Sequence, residues 1–318
     1  MSTMRRRLSW CGGGVSVTVG TGTDNRIHRA WHGSPVASVV VVGGANVDVV
    51  ARPHAAPVPA TSNPGSVAVT PGGVGRNIAE NLARLGTTTH LLAAVGDDAH
   101  GRLVVGATRA AGVDVGGVRL VAAATGSYVA LLDDTGELVG GVSDMPAALG
   151  PEHLDRDLLA AADLVVLDGN LAPATLAAAW DAATGPVALD PVSVPKAARL
   201  APTAAGRRLF LLSAGGAELA ALSAGGAPAA DLTWERRGPA GSTLTAPDGV
   251  HRLAARTAEV VDVTGAGDAM LAAFCHAWLG GAEPGEAATY AHVVAALTVS
   301  SPHTVRPDLT DELVRSLL

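Results

Sequence analysis

Val39-Val40-Val41-Val42-Gly43-Gly44-Ala45-Asn46-Val47-Asp48 opens with a continuous β-branched run that stops at two glycines. A half-buried strand alternates apolar and polar residues, whereas an unbroken run fits a strand covered on both faces. Such strands belong to parallel sheets, so helices are expected to follow. The spacing after this run supplies them. Val74 to Leu85 places Ile78, Leu82 and Leu85 on one helical face, with Gly86 in the stop position. Leu91 to Val95 reads as a strand, and His100 to Ala111 as a helix stopped by Gly112. Leu164–Leu167, Val187–Leu189 and Leu209–Leu212 are short apolar strands, with helical stretches after the first and last. Met270–Leu279 and Glu286–Val299 read as two long helices. Strands alternating with helices predict a three-layer α/β/α fold with a mostly parallel central sheet.

Two segments break this rhythm. Arg52 to Pro71 is proline-rich and reads as irregular or edge structure, and Asp134-Thr135-Gly136 between Tyr128–Leu132 and Glu137–Val139 is a hairpin signal. Together they predict a small β lid from about 50–72 and 122–142. Residues 1–35 lack hydrophobic periodicity and read as a disordered extension, leaving 36–318 as one domain.

Composition narrows the functions. The chain has 318 residues, 48% of them hydrophobic, which suffices for one large core. A formal net charge of -7 argues against a binder of polymeric nucleic acid. Cys11 and Cys275 are the only cysteines, which suits a reducing cytoplasm. Arg5, Arg6 and Arg7 precede a stretch interrupted by glycines rather than an apolar export signal, and no segment offers the roughly 20 apolar residues of a membrane span. Lys196 is the only lysine, and no glycine precedes it. A phosphate-binding loop with Gly-Lys-Ser/Thr and a protein-kinase strand lysine are both excluded. Any ATP chemistry must use backbone amides and arginines.

Asp262-Val263-Thr264-Gly265-Ala266-Gly267-Asp268 runs directly into an apolar helix. Small residues there leave N–H groups accessible, and the helix dipole adds positive potential, which makes an anion hole. Asp268 could accept a proton from an attacking hydroxyl, or could simply cap the helix. Pro71-Gly72-Gly73-Val74-Gly75-Arg76-Asn77 lets backbone approach a ligand closely and offers the Asn77 amide, or is a plain loop before a helix. Asp48 follows the first strand, where ligands of open α/β sheets bind, and suits paired sugar hydroxyls. His28 and His32, four apart in the extension, lack further ligands for a metal.

Taken together, the three segments resemble the ribokinase-like (PfkB) carbohydrate kinases from Val39 to about Leu309. The likeness to the N-terminal signature continues through Gly86 to Gly96-Asp97-Asp98 and Gly101. It implies ATP and Mg²⁺, a small sugar or nucleoside, and a dimer through the lid. Asp48, Gly72, Gly73 and Asn77 would contact the sugar. Gly265, Ala266 and Gly267 would form the anion hole, with Thr264 beside the ATP phosphates, and Asp268 would be the base. Asp262 and Thr264 occupy positions that border a monovalent-cation site, with K⁺ as the candidate. Glu218 would place Mg²⁺ through water, although Gly215 stands where the family has Asn. His292 occupies a position near adenine. Within the family, Gly72 to Gly86, Leu167-Asp168-Gly169-Asn170-Leu171, Asp190-Pro191-Val192-Ser193 and Ala295 to Val299 are most similar to pseudouridine kinases. That likeness makes Asp168 and Asn170 the first residues to examine for base recognition. Ribose, another sugar and adenosine are the alternative substrates, and a ligand-binding homologue without catalysis is the alternative suggested by Gly215.

Overall fold

The computed structural model describes residues 37–318. The expected extension, with His28 and His32, lies outside the described residues. The chain starts with strands β1 (Ser38–Val42), β2 (Asn46–Pro53) and β3 (Gly65–Gly72), then helix α1 (Val74–Arg84). Next come β4 (Thr88–Leu92), β5 (Ala94–Gly96), α2 (Ala99–Ala110), β6 (Arg119–Val121), β7 (Gly126–Leu132) and β8 (Leu138–Asp144). Regular alternation follows in α3 (Arg156–Ala161), β9 (Leu164–Asp168), α4 (Pro173–Ala182), β10 (Val187–Asp190), α5 (Val194–Ala204), β11 (Arg208–Gly215) and α6 (Gly216–Ser223). The last elements are β12 (Ala229–Arg236), β13 (Ser242–Ala246), β14 (Gly249–Leu253), α7 (Ala266–Leu279), α8 (Pro284–Val299) and α9 (Asp311–Arg315).

The main sheet has eight strands in the order β14-β13-β12-β11-β10-β9-β1-β4. It is parallel from β12 to β4, and β13 and β14 add an antiparallel edge. The valine run explains the layering. Val39 and Val41 enter one core with Ile78 and Leu82 of α1, Phe274 of α7 and Val294 of α8. Val40 and Val42 enter a second core with Leu176 of α4, Leu200 of α5 and Leu222 of α6. Both faces are therefore covered, and the fold is three-layer α/β/α. Each fully buried valine contributes roughly 1.5–3 kcal/mol, so a polar residue anywhere in the run would be strongly destabilising. Helix ends are set locally. The Asp98 carboxylate accepts the Gly101 N–H at 2.8 Å, and Glu283 and Glu286 form a capping box around Pro284.

A second sheet, β3-β2-β7-β8, stands off the first. It starts at Asn46 and ends at Asp144, so it overlaps both segments that broke the sequence rhythm. Its register places Asp48, Thr70, Tyr128 and Ser143 on one face, and Val49, Val69, Val129 and Val142 on the other.

Three details differ from expectation. Leu91–Val95 is not one strand but the end of β4 and the start of β5, broken at Ala93, whose carbonyl accepts the Arg119 N–H at 2.9 Å beside β6. Both halves are buried, so apolarity alone hides the break. Helix α5 and strands β12, β13 and β14 were not expected, because their apolar residues are interleaved with polar ones. Helix α7 begins at Ala266, inside the glycine motif rather than after it. Among the described residues, no helix is long and apolar enough to cross a membrane.

Candidate active site

Two glycine loops meet beyond the carboxyl end of β1. Gly73 precedes α1 with φ 100°, in the left-handed region, and a Cβ there would lie 2.5 Å from the Gly44 carbonyl oxygen. A Cβ on Gly75 would lie 2.7 Å from Gly43 Cα. Only glycine permits this backbone-on-backbone approach. Asp168, at the end of β9, ties the loops down. Its Oδ2 accepts the Gly44 N–H and its Oδ1 accepts the Asn170 N–H, each at 2.8 Å. Asp168 is fully buried, and burial pushes its carboxyl above the ordinary range. Both of its oxygens are thus engaged with backbone. The Asn170 side chain lies over Gly44, and its Oδ1 accepts from Lys196 Nζ at 2.5 Å.

Helix α1 carries the next group. The Arg76 guanidinium is buried and bound to Glu80, Thr108 Oγ1 and the Pro71 carbonyl. It also donates to Asn77 Oδ1 at 3.1 Å, which fixes the Asn77 amide with its Nδ2 outward. That Nδ2 donates to Asp268 Oδ2 at 2.9 Å, linking α1 to α7. Burial pulls Arg76 down to about 10, so it stays charged at neutral pH. Asp48 stands above Gly72 with its Oδ1 accepting from Asn46 Nδ2 at 2.8 Å. Its carboxyl is raised, chiefly by burial.

Asp268 sits in the first turn of α7. The residue that caps this helix is Gly265, at φ 78°, and no side chain caps it. The capping alternative for Asp268 therefore fails, because its carboxylate turns inward to Asn77. Burial above all pushes Asp268 up to about 7, with Asp190 and Asp168 adding to the rise and Asn77 and Arg236 opposing it. A buried carboxyl that titrates near neutrality is suited to accept a proton.

The remaining predicted residues divide. Asp262 Oδ1 accepts the Thr264 N–H at 2.8 Å, in the turn leading to Gly265. Glu218 lies in the first turn of α6, and a side chain on Gly215 would collide with its Oε2. The Glu218 carboxylate thus lies over Gly215. His292 is buried. Ser242 Oγ accepts the Trp234 Nε1–H at 2.9 Å and lies 2.7 Å from His292 Nε2. Burial lowers the pKa of the His292 ring.

Sequence reasoning missed three members of the cluster. Lys196, marked in the sequence only as the chain's one lysine, has its pKa lowered by burial and stands beside Asn170. Buried Asp190 and partly buried Arg236 form an ion pair, Oδ2 to Nη2 at 2.8 Å. The Asp190-Pro191 turn after an apolar strand was a readable signal for the first partner. Nothing in the sequence marked the second, which closes an unexpected strand.

Residues 36–206 and 235–311 match the pfkB family of carbohydrate kinases. A pseudouridine kinase of Escherichia coli is 34% identical over 303 residues, covering 88% of this chain and 96% of its own. An ATP-dependent ribose-1-phosphate kinase of Halopiger xanaduensis is 34% identical over 238 residues, covering 71% of this chain and 79% of its own. Among solved structures, the Arabidopsis thaliana ribokinase complexed with ribose and ATP superimposes with a TM-score of 0.74 at 24% identity, over 89% of this chain and 99% of that one.

Proposed function

The chain belongs to the pfkB family of carbohydrate kinases, and from that premise we propose that it moves the γ-phosphoryl group of ATP to the 5′-hydroxyl of pseudouridine. The observation that carries the reading is the buried Asp268 carboxylate, held by Asn77 at the N-terminus of α7. Asp268 takes the hydroxyl proton as the oxygen forms its bond to the γ-phosphorus. The bond to the β–γ bridging oxygen breaks, and ADP leaves with that electron pair. The N–H groups of Gly265 and Gly267 receive the charge on the moving phosphoryl group, joined by the Ala266 N–H, which leaves a long 3.3 Å bond to the Val263 carbonyl. Thr264 lies beside the phosphates, and Asp48 and Asn77 bind the ribosyl hydroxyls, with Gly72 and Gly73 allowing close approach.

The donor set fits Mg²⁺. Glu218 is a hard oxygen ligand at a helix N-terminus, and Mg²⁺ is commonly held by one or two carboxylates, phosphates and water. When bound, the ion neutralises phosphate charge. K⁺ would sit against Asp262. The second sheet acts as a lid whose polar face, Asp48, Thr70, Tyr128 and Ser143, turns to the substrate and excludes water. The buried thiol of Cys275 is compatible with a cytoplasmic location.

Pseudouridine differs from uridine in keeping an N1–H, because its glycosidic bond is to carbon. A site with an acceptor for that N–H rejects uridine. Asp168 has both oxygens on backbone and Asn170 Oδ1 accepts from Lys196, so an acceptor for N1–H at this segment would have to be shared with one of these bonds. In a panel assayed for ADP release, kcat/KM for pseudouridine is expected to exceed that for uridine, adenosine and ribose by at least about tenfold. Faster turnover of ribose or adenosine would remove the pseudouridine assignment.

The opposite face of the lid favours a second copy of the chain. Val67 and Val142 are 69% and 67% exposed, and Val69, Val129 and Leu131 continue the same apolar surface. Monomers rarely leave such a patch in water. Light scattering is expected to give a dimer for the parent and a monomer for Val142→Asp, with the melting temperature of each protomer little changed. A monomeric parent at tens of micromolar would rule this interface out.

A further inference from the structure

Arg236 ends β12 with its guanidinium fixed from behind. Nη2 donates to Asp190 Oδ2 at 2.8 Å and weakly to the Ser213 carbonyl at 3.4 Å. Asp190 is itself anchored. It is buried, and its Oδ1 accepts the Val192 N–H at 2.8 Å. That turn holds Val192 at φ 69°, a left-handed backbone that β-branched residues rarely adopt.

The other nitrogen is different. Nη1 is shielded from solvent and has no hydrogen-bond partner among the described residues. Its neighbour is Gly267, where a Cβ would lie 2.7 Å from Nη1. A charged donor therefore lies against the glycine turn that forms the anion hole, one residue before Asp268. Buried donors are nearly always paired, and an exception in a native protein points to function. No lysine serves here, because the chain's only one is committed to Asn170.

We propose that Arg236 is a further catalytic residue, whose Nη1 binds the γ-phosphoryl group of ATP beside the N–H groups of Gly265 to Gly267. The inference rests on the kinase reading above. As the acceptor oxygen bonds to phosphorus and ADP departs, negative charge spreads over the three phosphoryl oxygens. A guanidinium supplies directed donors and a full positive charge to them, and Asp190 keeps it in place. Gly267 is then required for a second reason. Any side chain there would stand between Nη1 and the phosphoryl group.

Arg236→Lys is the primary variant, because it keeps a cation for buried Asp190 but removes the guanidinium. Its kcat is expected to fall by about 10²-fold or more, the effect of losing one preorganised donor. KM for the nucleoside should stay within about threefold and the melting temperature near that of the parent. Arg236→Ala leaves Asp190 unpaired, so it is paired with Asp190→Asn, and added guanidinium ion is expected to restore part of its turnover. Independently of turnover, calorimetry should show the preference for ATP over ADP falling by about threefold or more in Arg236→Lys, since only ATP carries the contacted group. A kcat within about threefold of the parent overturns the proposal. Were the parent to phosphorylate no acceptor, the kinase reading would fall, and an unchanged ATP-to-ADP preference would then overturn the Arg236 contact as well.

Discussion

Asp268→Asn is expected to bind its nucleoside as the parent does and to turn over about 10²–10⁴-fold more slowly, the usual contribution of a general base. The substitution is close to isosteric. Asn77 Nδ2 now donates 2.9 Å to a carboxylate oxygen, and the amide oxygen of Asn can accept the same bond. Helix α7 does not depend on the side chain, because its cap is Gly265. Folding should even favour the variant in alkaline buffer. Asp268 is raised to about 7, above its ordinary 3.8, so its contribution to stability is complete below about pH 4 and is lost as pH rises through 7. At pH 8 the native parent carries a buried, ionised carboxylate that Asn removes. The melting temperature of Asp268→Asn at pH 8 is therefore expected to equal or exceed the parent's. Slow turnover with undiminished stability separates a chemical role from a structural one. A variant within about threefold of parent kcat would mean that another group takes the proton.

The unequal legibility of the sequence follows from how each feature is encoded. Val39 to Val42 declared a strand covered on both faces, because each valine has to be apolar whichever way it points. The helices at α1, α2, α7 and α8 were visible through one apolar face or an unbroken small-apolar run. The edge strands were not. In β12, Asp231, Thr233, Glu235 and Arg236 interrupt the apolar residues, and the strand is defined by its pairing with β11 and β13 rather than by its own pattern. The same distinction applies to the site. Glycine motifs mark where backbone must come close, and Gly43, Gly44, Gly73 and Gly75 do come together. What a glycine motif cannot encode is which side chains from distant strands fill the space it opens. Arg236 reaches Gly267 across 31 residues of sequence, and Asp190 holds it from a different strand. His292, which the resemblance places near adenine, is held by Ser242 and stands beside Trp234, both from strands without a readable signal.

The pH profile of kcat/KM is expected to fall about 100-fold between pH 8 and pH 5. A base at about 7 is mostly ionised at pH 8 and only about 1% ionised at pH 5. Below pH 7 the logarithm of kcat/KM should therefore decline with a slope near one. Asp168 and Lys196, also shifted by burial, are retained in Asp268→Asn, so that variant separates them from Asp268. Burial lowers His276 and His292 from the ordinary histidine value, away from an inflection at 7. Asp48 is raised as well, but its role is to accept hydrogen bonds from hydroxyls, so its protonation acts on nucleoside affinity. Asp268→Asn distinguishes the sources. Its residual rate should lose the inflection near 7, because the titrating group is gone, while any dependence arising from Asp48 persists. Arg236 provides a second handle with the opposite sign. Its charge favours the ionised form of Asp268, so Arg236→Gln combined with Asp190→Asn, which removes both a raising and a lowering neighbour, should move the inflection little. Asp190→Asn alone removes only the raising charge and should move it downward. A parent profile flat from pH 5 to pH 8 would mean that Asp268 ionises as an ordinary carboxylate, and that burial against Asn77 does not tune the base.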